Sequence, residues 1–224
     1  MKLENKQLLI FDMDGTLINS ALDLALAVNY MLEQLGHERF KEETIHGWVG
    51  NGALTLVKRA LSGAREVSED LEEVYVEKAL NIFLDYYKKN LCNATLPYPR
   101  VIETLHKLKK RGYTLALVTN KPFAFVPPIL STLEMDKMFA LVLGGDSLPE
   151  KKPHPQPLLH VCNTLGIAVA NSVMIGDSKN DILAANACGM DSIGVTYGYN
   201  YGEDIGVHHP SIIIDDFGEL VRYL

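Results

Sequence analysis

"LLIFDMDGTLINS", residues 8–20, is the stretch on which the fold turns. An apolar run, Leu8–Phe11, ends abruptly in Asp12 and Asp14, followed by Gly15 and Thr16. Aspartate is among the poorest strand residues, and neighbouring carboxylates repel, so the strand must deliver the pair to a place that needs them. Residues i and i+2 of an extended chain project to the same side, which lets Asp12 and Asp14 address one centre. Gly15 permits the sharp departure that an extended chain cannot make.

Working outward, further runs of strand length occur at Thr114–Val118, Ala140–Leu143, Ser172–Ile175, Ser192–Val195 and Ser211–Ile214. Most are apolar at nearly every position, the mark of strands covered on both faces in a parallel sheet. Helical patterns lie between them at about 100–111, 122–133, 154–165 and 179–188. Gly112, Gly166 and Gly189 follow three of these and suit C-terminal caps. The alternation predicts a doubly wound, mainly parallel, Rossmann-like α/β core.

Residues 20–94 break the alternation with helix after helix. Ser20 with Asp23 resembles a capping box, and Leu24, Val28, Met31, Leu32 and Leu35 form a stripe ending at Gly36. A short helix carries Leu54, Val57 and Leu61. A longer one is expected from near Ser68, with Leu71, Val74, Tyr75, Ala79, Ile82, Phe83 and Tyr86 on one face. The expected organisation is a catalytic core of residues 1–19 and 95–224, with a helical cap domain, 20–94, inserted after the first strand. Leu96-Pro97-Tyr98-Pro99 is the return linker.

The 224 residues are 47% hydrophobic and 22% charged, as in a soluble globular protein, and suffice for a core domain with an insertion. A net charge of −7 argues against a broad nucleic-acid surface. Cys92, Cys162 and Cys188 are odd in number and form no CxxC, so neither a disulfide framework nor a zinc site is indicated. No apolar run approaches the ~20 residues of a membrane span, and MKLENKQ lacks a signal-peptide pattern. The expectation is a cytoplasmic monomer or small homo-oligomer with no nucleic-acid or membrane partner.

Ligands of open α/β sheets bind outside the carboxyl ends of the strands. There the sequence places Asp12 and Asp14 after the first strand, Thr119 and Asn120 after the second, and Asp177 and Asp181 after the fourth, with Lys152 in KKPHP between. Asp177 and Asp181, four apart, share one face of a helical turn. So many carboxylates call for a hard divalent cation, and oxygen ligands select Mg²⁺. With Asp14 protonated and Lys152 present, the site carries about −2, which Mg²⁺ brings near zero, low enough for a phosphate dianion to enter. Other residues read more plainly: Lys151, His154, His208 and His209 as solvated surface, and Trp48 as a packing anchor. GWVGNG lacks the following Lys-Ser/Thr of a nucleotide P-loop.

DMDGTL at 12–17, Thr119-Asn120, Lys152 and GDSKND at 176–181 resemble the four motifs of the haloacid dehalogenase superfamily of aspartate-nucleophile phosphatases, in order and placement. GWVGNGA at 47–53, TNKP at 119–122, GGD at 144–146 and TYGYNYGE at 196–203 resemble the bacterial phosphoglycolate phosphatases within it. The resemblance implies Mg²⁺-dependent hydrolysis of a small phosphate ester, 2-phosphoglycolate above others, through an aspartyl phosphate. It implies Asp12 as nucleophile and Asp14 as general acid and base. Mg²⁺ would lie on Asp12, the Asp14 backbone carbonyl and Asp177. Thr119, Asn120 and Lys152 would hold the phosphoryl group, and Asp181 would orient Lys152 or metal-bound water. A sugar-phosphate phosphomutase of the same superfamily and a non-enzymatic aspartyl phospho-receiver are the competing readings. For the leaving group, the Gly-rich loop His46–Ala53 feeds a helix N-terminus, a ready site for a small carboxylate. Lys58 and Arg59 lie further along that helix and read as solvated.

Overall fold

The computed structural model describes residues 2–224. The first strand, β1 (Leu8–Phe11), is followed by a two-residue strand, β2 (Ile18–Asn19), and four helices: α1 (Ala21–Gln34), α2 (Glu42–His46), α3 (Ala53–Ser62) and α4 (Glu73–Lys89). The chain returns through β3 (Leu96–Pro97) and then alternates: α5 (Val101–Lys110), β4 (Thr114–Val118), α6 (Val126–Thr132), β5 (Leu141–Leu143), α7 (Gln156–Leu165), β6 (Ser172–Gly176), α8 (Lys179–Cys188) and β7 (Asp191–Val195). It closes with β8 (Ile212–Ile214) and α9 (Leu220–Tyr223).

Six strands form one sheet in the order β5-β4-β1-β6-β7-β8, and every pairing in it is parallel. The period of two sorts the sheet's side chains cleanly. Leu9, Phe11, Leu115, Leu117, Val173 and Ile175 join one apolar core with α5; Leu8, Ile10, Ala116, Val118 and Met174 join another with α7 and α8. The near-continuous apolar strands are therefore the strands buried on both faces. Gly166 and Gly189 are left-handed C-terminal caps of α7 and α8.

Four local expectations are corrected. Ser20 makes no capping hydrogen bond; its hydroxyl goes to Asp14 Oδ1 at 2.5 Å. Asp23 instead accepts from the backbone N–H groups of Ala94 and Thr95 and from the Thr95 hydroxyl, tying α1 to the returning chain. The long helix begins at Glu73 rather than near Ser68, and its buried face is Val76, Ala79, Phe83 and Tyr87, leaving Val74 79% exposed. The helix expected from residue 122 starts at Val126 behind a short 3₁₀ turn, because Pro127 and Pro128 fit only its first turn. The chain's exit and return are paired as a small antiparallel ribbon, Ile18 opposite Pro97 and Asn19 opposite Leu96. That ribbon is too short to show in a hydrophobic pattern.

Candidate active site

β1 sits between β4 and β6, where the chain's direction of winding reverses, so their carboxyl ends border the crevice in which such sheets bind ligands. Phe11 lies level with Leu117 and Ile175. Asp12, Thr119 and Asp177 therefore emerge at one edge, one or two residues past the ladder. A cleft of about 500 Å³ there is lined by Asp12, Asp14, Thr119 and Asn120 from the sheet side, and by Gly50, Gly52 and Ala53 from the opposite side.

The buried carboxylates are close together. Single oxygens of Asp12, Asp177 and Asp181 lie within 4.8 Å of one another. Burial pushes the Asp12 carboxyl up to about 7, with repulsion from Asp181 adding and the Lys152 ammonium opposing. Burial and then the charges of Asp12 and Asp181 hold Asp177 well above the carboxylate range. Among the described residues, Lys152 is the one cation paired with this group. Its Nζ is 2.6 Å from Asp181 Oδ1, 2.8 Å from Asp12 Oδ1, and donates to the Val118 carbonyl. Burial favours its neutral amine, but the two carboxylates outweigh that and raise its pKa.

The oxygens are not equally committed. Asp181 is the most engaged: Oδ1 accepts from Lys152, and Oδ2 from the Ser178 N–H and hydroxyl. Asp177 accepts from Thr16 Oγ1 at 2.8 Å and the Tyr199 N–H at 2.7 Å. Asp12 Oδ1 is buried and close to Lys152, yet has no hydrogen bond of acceptable geometry. Asp12 and Asp177 thus keep the most spare lone pairs for a hard divalent cation, whereas Asp181, which belongs to the cluster by distance, has one left beside the Lys152 ammonium. The residues present fit Mg²⁺. Gly15 makes the approach possible, since a Cβ there would stand 2.3 Å from Asp177 Oδ2.

Asp14 stands apart from the cluster. Its carboxylate receives the Ser20 hydroxyl and, at 3.0 and 3.1 Å, the Lys121 ammonium. Lys121 is only 5% exposed and lines the cleft. Asn120 donates to the Gly50 and Lys152 carbonyls, and Asn180 also donates to Gly50, so the Gly-rich loop is docked on the sheet edge. At Gly52, φ is +88° and a Cβ would lie 2.8 Å from the Asn120 carbonyl oxygen, so only glycine fits.

Several residues escaped sequence reasoning. Lys121 and Tyr87 both line the cleft, Thr16 and the Tyr199 N–H hold Asp177, and Ser20 holds Asp14. TNKP was legible as a motif, but a lysine beside a proline gives no sign of burial. Lys151 is exposed as expected, yet its ammonium donates to the Asn51 carbonyl at 2.9 Å and so joins the loop to the core. Arg59 is not free in solvent: it donates to the Trp48 and Arg65 carbonyls and braces the loop. Trp48 is buried against Phe40, and neither it nor Lys58 lines the cleft. His154 and His208 belong to no group of potential metal ligands among the described residues.

Comparison with known proteins agrees with this geometry. A family model described as haloacid dehalogenase-like hydrolase matches residues 9–195. A protein of Colwellia psychrerythraea called phosphoglycolate phosphatase is 51% identical over 221 residues, covering 99% of this chain and 98% of its own. One of the same name from Psychrobacter arcticus is 54% identical over 221 residues, covering 98% and 96%. Among solved structures, that of a "predicted phosphoglycolate phosphatase" from Haemophilus somnus 129pt superposes with a TM-score of 0.92 at 42% identity, covering 98% of both chains.

Proposed function

The chain belongs to the haloacid dehalogenase-like hydrolase family and is a phosphatase, and from that premise we propose that it hydrolyses 2-phosphoglycolate to glycolate and phosphate, with Mg²⁺ bound and Asp12 as the nucleophile. The observation that carries the chemistry is the Asp12 carboxylate itself, buried at the cleft floor with the Lys152 ammonium 2.8 Å from its Oδ1. The substrate is supported by the near full-length relatives called phosphoglycolate phosphatase and by a cleft whose outer wall is glycine, alanine and apolar side chains, with Tyr87 and Lys121 the polar side chains beside it. A sugar would leave its hydroxyls unpaired against such a wall.

Asp12 attacks phosphorus in line, and the bond to the ester oxygen breaks as an aspartyl phosphate forms. Asp14 donates its proton to the departing alkoxide, giving glycolate. A water molecule then attacks the phosphorus and passes a proton back to Asp14, which releases phosphate and restores Asp12. Thr119 and the Asn120 N–H bind phosphoryl oxygens, and Lys152 offsets the negative charge gathered on the nucleophile and the phosphoryl group. Asp181 holds Lys152 in place. The Asp12 and Asp177 carboxylates and the Asp14 backbone carbonyl would hold Mg²⁺, which supplies charge neutralisation at the phosphoryl oxygens when bound.

Residues 20–94 act as a cap that excludes water. Support comes from the paired ribbon at its root and from the Asn120, Asn180 and Lys151 hydrogen bonds to its Gly-rich loop. We propose a cytoplasmic location for the activity. The test is phosphate release across a panel of small phosphate esters with and without Mg²⁺. The expected result is Mg²⁺ dependence with the highest kcat/KM for 2-phosphoglycolate. A higher kcat/KM for a hexose phosphate would overturn the substrate assignment, and undiminished release in EDTA would overturn the metal's role.

A further inference from the structure

Of the described residues lining the cleft, three carry charge: Asp12, Asp14 and Lys121. A second phosphate-ester feature follows from that count. The mechanism proposed above serves the phosphoryl group with Asp12, Thr119, the Asn120 N–H and Lys152, and leaves Lys121 without a role. Its Nζ lies 3.0 and 3.1 Å from the two Asp14 oxygens. Beneath it is Tyr87, whose ring centre is 4.8 Å from Nζ. The Tyr87 hydroxyl is buried, in a residue only 1% exposed, and makes no hydrogen bond of good geometry, with the Lys121 ammonium as its polar neighbour. Such a group costs free energy unless something fills its bonding capacity.

We propose that Lys121, with the Tyr87 hydroxyl beside it, is the subsite that reads a carboxylate on the leaving group. The inference rests on the 2-phosphoglycolate reading above and assigns its specificity to particular atoms. The leaving oxygen must come to Asp14 to be protonated. In glycolate a single methylene separates that oxygen from the carboxylate, so the carboxylate falls within reach of the ammonium that already touches Asp14. Lys121 offers three N–H donors and spends two contacts on Asp14. The phenol offers one more donor, which suits an anion that only accepts. The remaining surroundings, Leu24, Val49, Leu56 and Phe83, are apolar and strengthen a charge-assisted bond. They also make an unpaired carboxylate costly there, so the ammonium decides which ester enters.

A lysine that merely holds Asp14 would serve every ester alike; a lysine that reads the carboxylate serves one kind. The experiment compares kcat/KM for 2-phosphoglycolate and for ethyl phosphate, in which a methyl group replaces the carboxylate, using the full-length Mg²⁺-loaded enzyme. Wild type should favour 2-phosphoglycolate. Lys121→Met should lower activity on both esters and collapse their ratio by roughly ten- to a hundredfold, the worth of one charge-assisted bond. Lys121→Arg should keep most of the ratio. Tyr87→Phe, which preserves the packing with Phe83 and Phe125, should lower the ratio several-fold by raising KM for 2-phosphoglycolate. If both esters suffer equally in Lys121→Met, the subsite is overturned and Lys121 only positions Asp14. If wild type shows no preference for the carboxylate ester, the substrate reading falls and takes the subsite with it.

Discussion

Removing the positive charge of Lys152 gives the sharpest physical test of how the candidate site is held together. Lys152 is 2% exposed and contacts Asp12, Asp181 and the Val118 carbonyl. Methionine fills much the same volume without charge. Lys152→Met leaves three buried carboxylates within 4.8 Å of one another and no ammonium among them. Breaking a buried pair in this way costs about 3–5 kcal/mol, because the partner charge is stranded. For a chain of this size, about 1 kcal/mol moves Tm by roughly 2–4 °C, so the metal-free variant should melt some 6–20 °C lower, the product of those two ranges. The assay is calorimetric melting in EDTA near neutral pH. Asp181→Asn in the same chain removes one stranded charge, so the double variant should melt above Lys152→Met alone. The reasoning is refuted if Lys152→Met melts within about 2 °C of wild type, less than the shift worth 1 kcal/mol. It is also refuted if Asp181→Asn adds a further full loss, since the coupling would then be absent.

Three other outcomes follow from the same geometry. Because the metal-free Asp12 carboxyl is raised to about 7 and Asp177 moves the same way, the folded state binds more protons than the unfolded chain between the ordinary carboxylate range and that value. Stability must therefore fall as pH rises through this window. Metal-free Tm should be higher near pH 6 than near pH 8, and saturating Mg²⁺ should raise Tm most at the higher pH; a Tm that climbs with pH in EDTA would contradict this. Asp14→Asn should slow alkyl phosphates more than aryl phosphates, whose leaving groups need less protonation; equal losses in kcat would argue against a general acid. Gly52→Val forces a branched residue into φ +88° with its Cβ 2.8 Å from the Asn120 carbonyl, at a cost of about 1–3 kcal/mol. It should raise KM for 2-phosphoglycolate while a Mg²⁺ titration is little changed, and an unaltered KM would show that the loop does not face the substrate.

The sheet was largely legible because its strands are buried on both faces, which writes an unbroken apolar run into the sequence. Leu8–Phe11 and Thr114–Val118 fall where the runs lie. The site's carboxylates were legible for the opposite reason: an aspartate ending an apolar strand is costly and stands out. What stayed hidden depends on contacts far apart in the chain. Asp23 reads as a first-turn acid of α1, but its partners are Ala94 and Thr95. Tyr87 reads as one more aromatic near the end of α4, and only the fold sets it under Lys121. The start of α4 is hidden in the sequence because Leu71 and Val74 continue its apolar pattern, while the structure leaves Leu71 half-buried and Val74 exposed. A buried lysine leaves no local trace, since its partner carboxylate lies 107 residues away.

The central claim is that phosphate leaves by way of a covalent bond to Asp12. The direct measurement is rapid acid quench of wild-type enzyme mixed with 2-phosphoglycolate and Mg²⁺, followed by mass spectrometry of the peptide spanning residues 8–20. The expected result is a phosphoryl group on Asp12 that appears within the first turnover and decays as free phosphate accumulates, and that is absent from a folded Asp12→Asn variant lacking turnover. Phosphate released at the full rate from an enzyme whose Asp12 peptide is never modified, or wild-type turnover by Asp12→Asn, would contradict it.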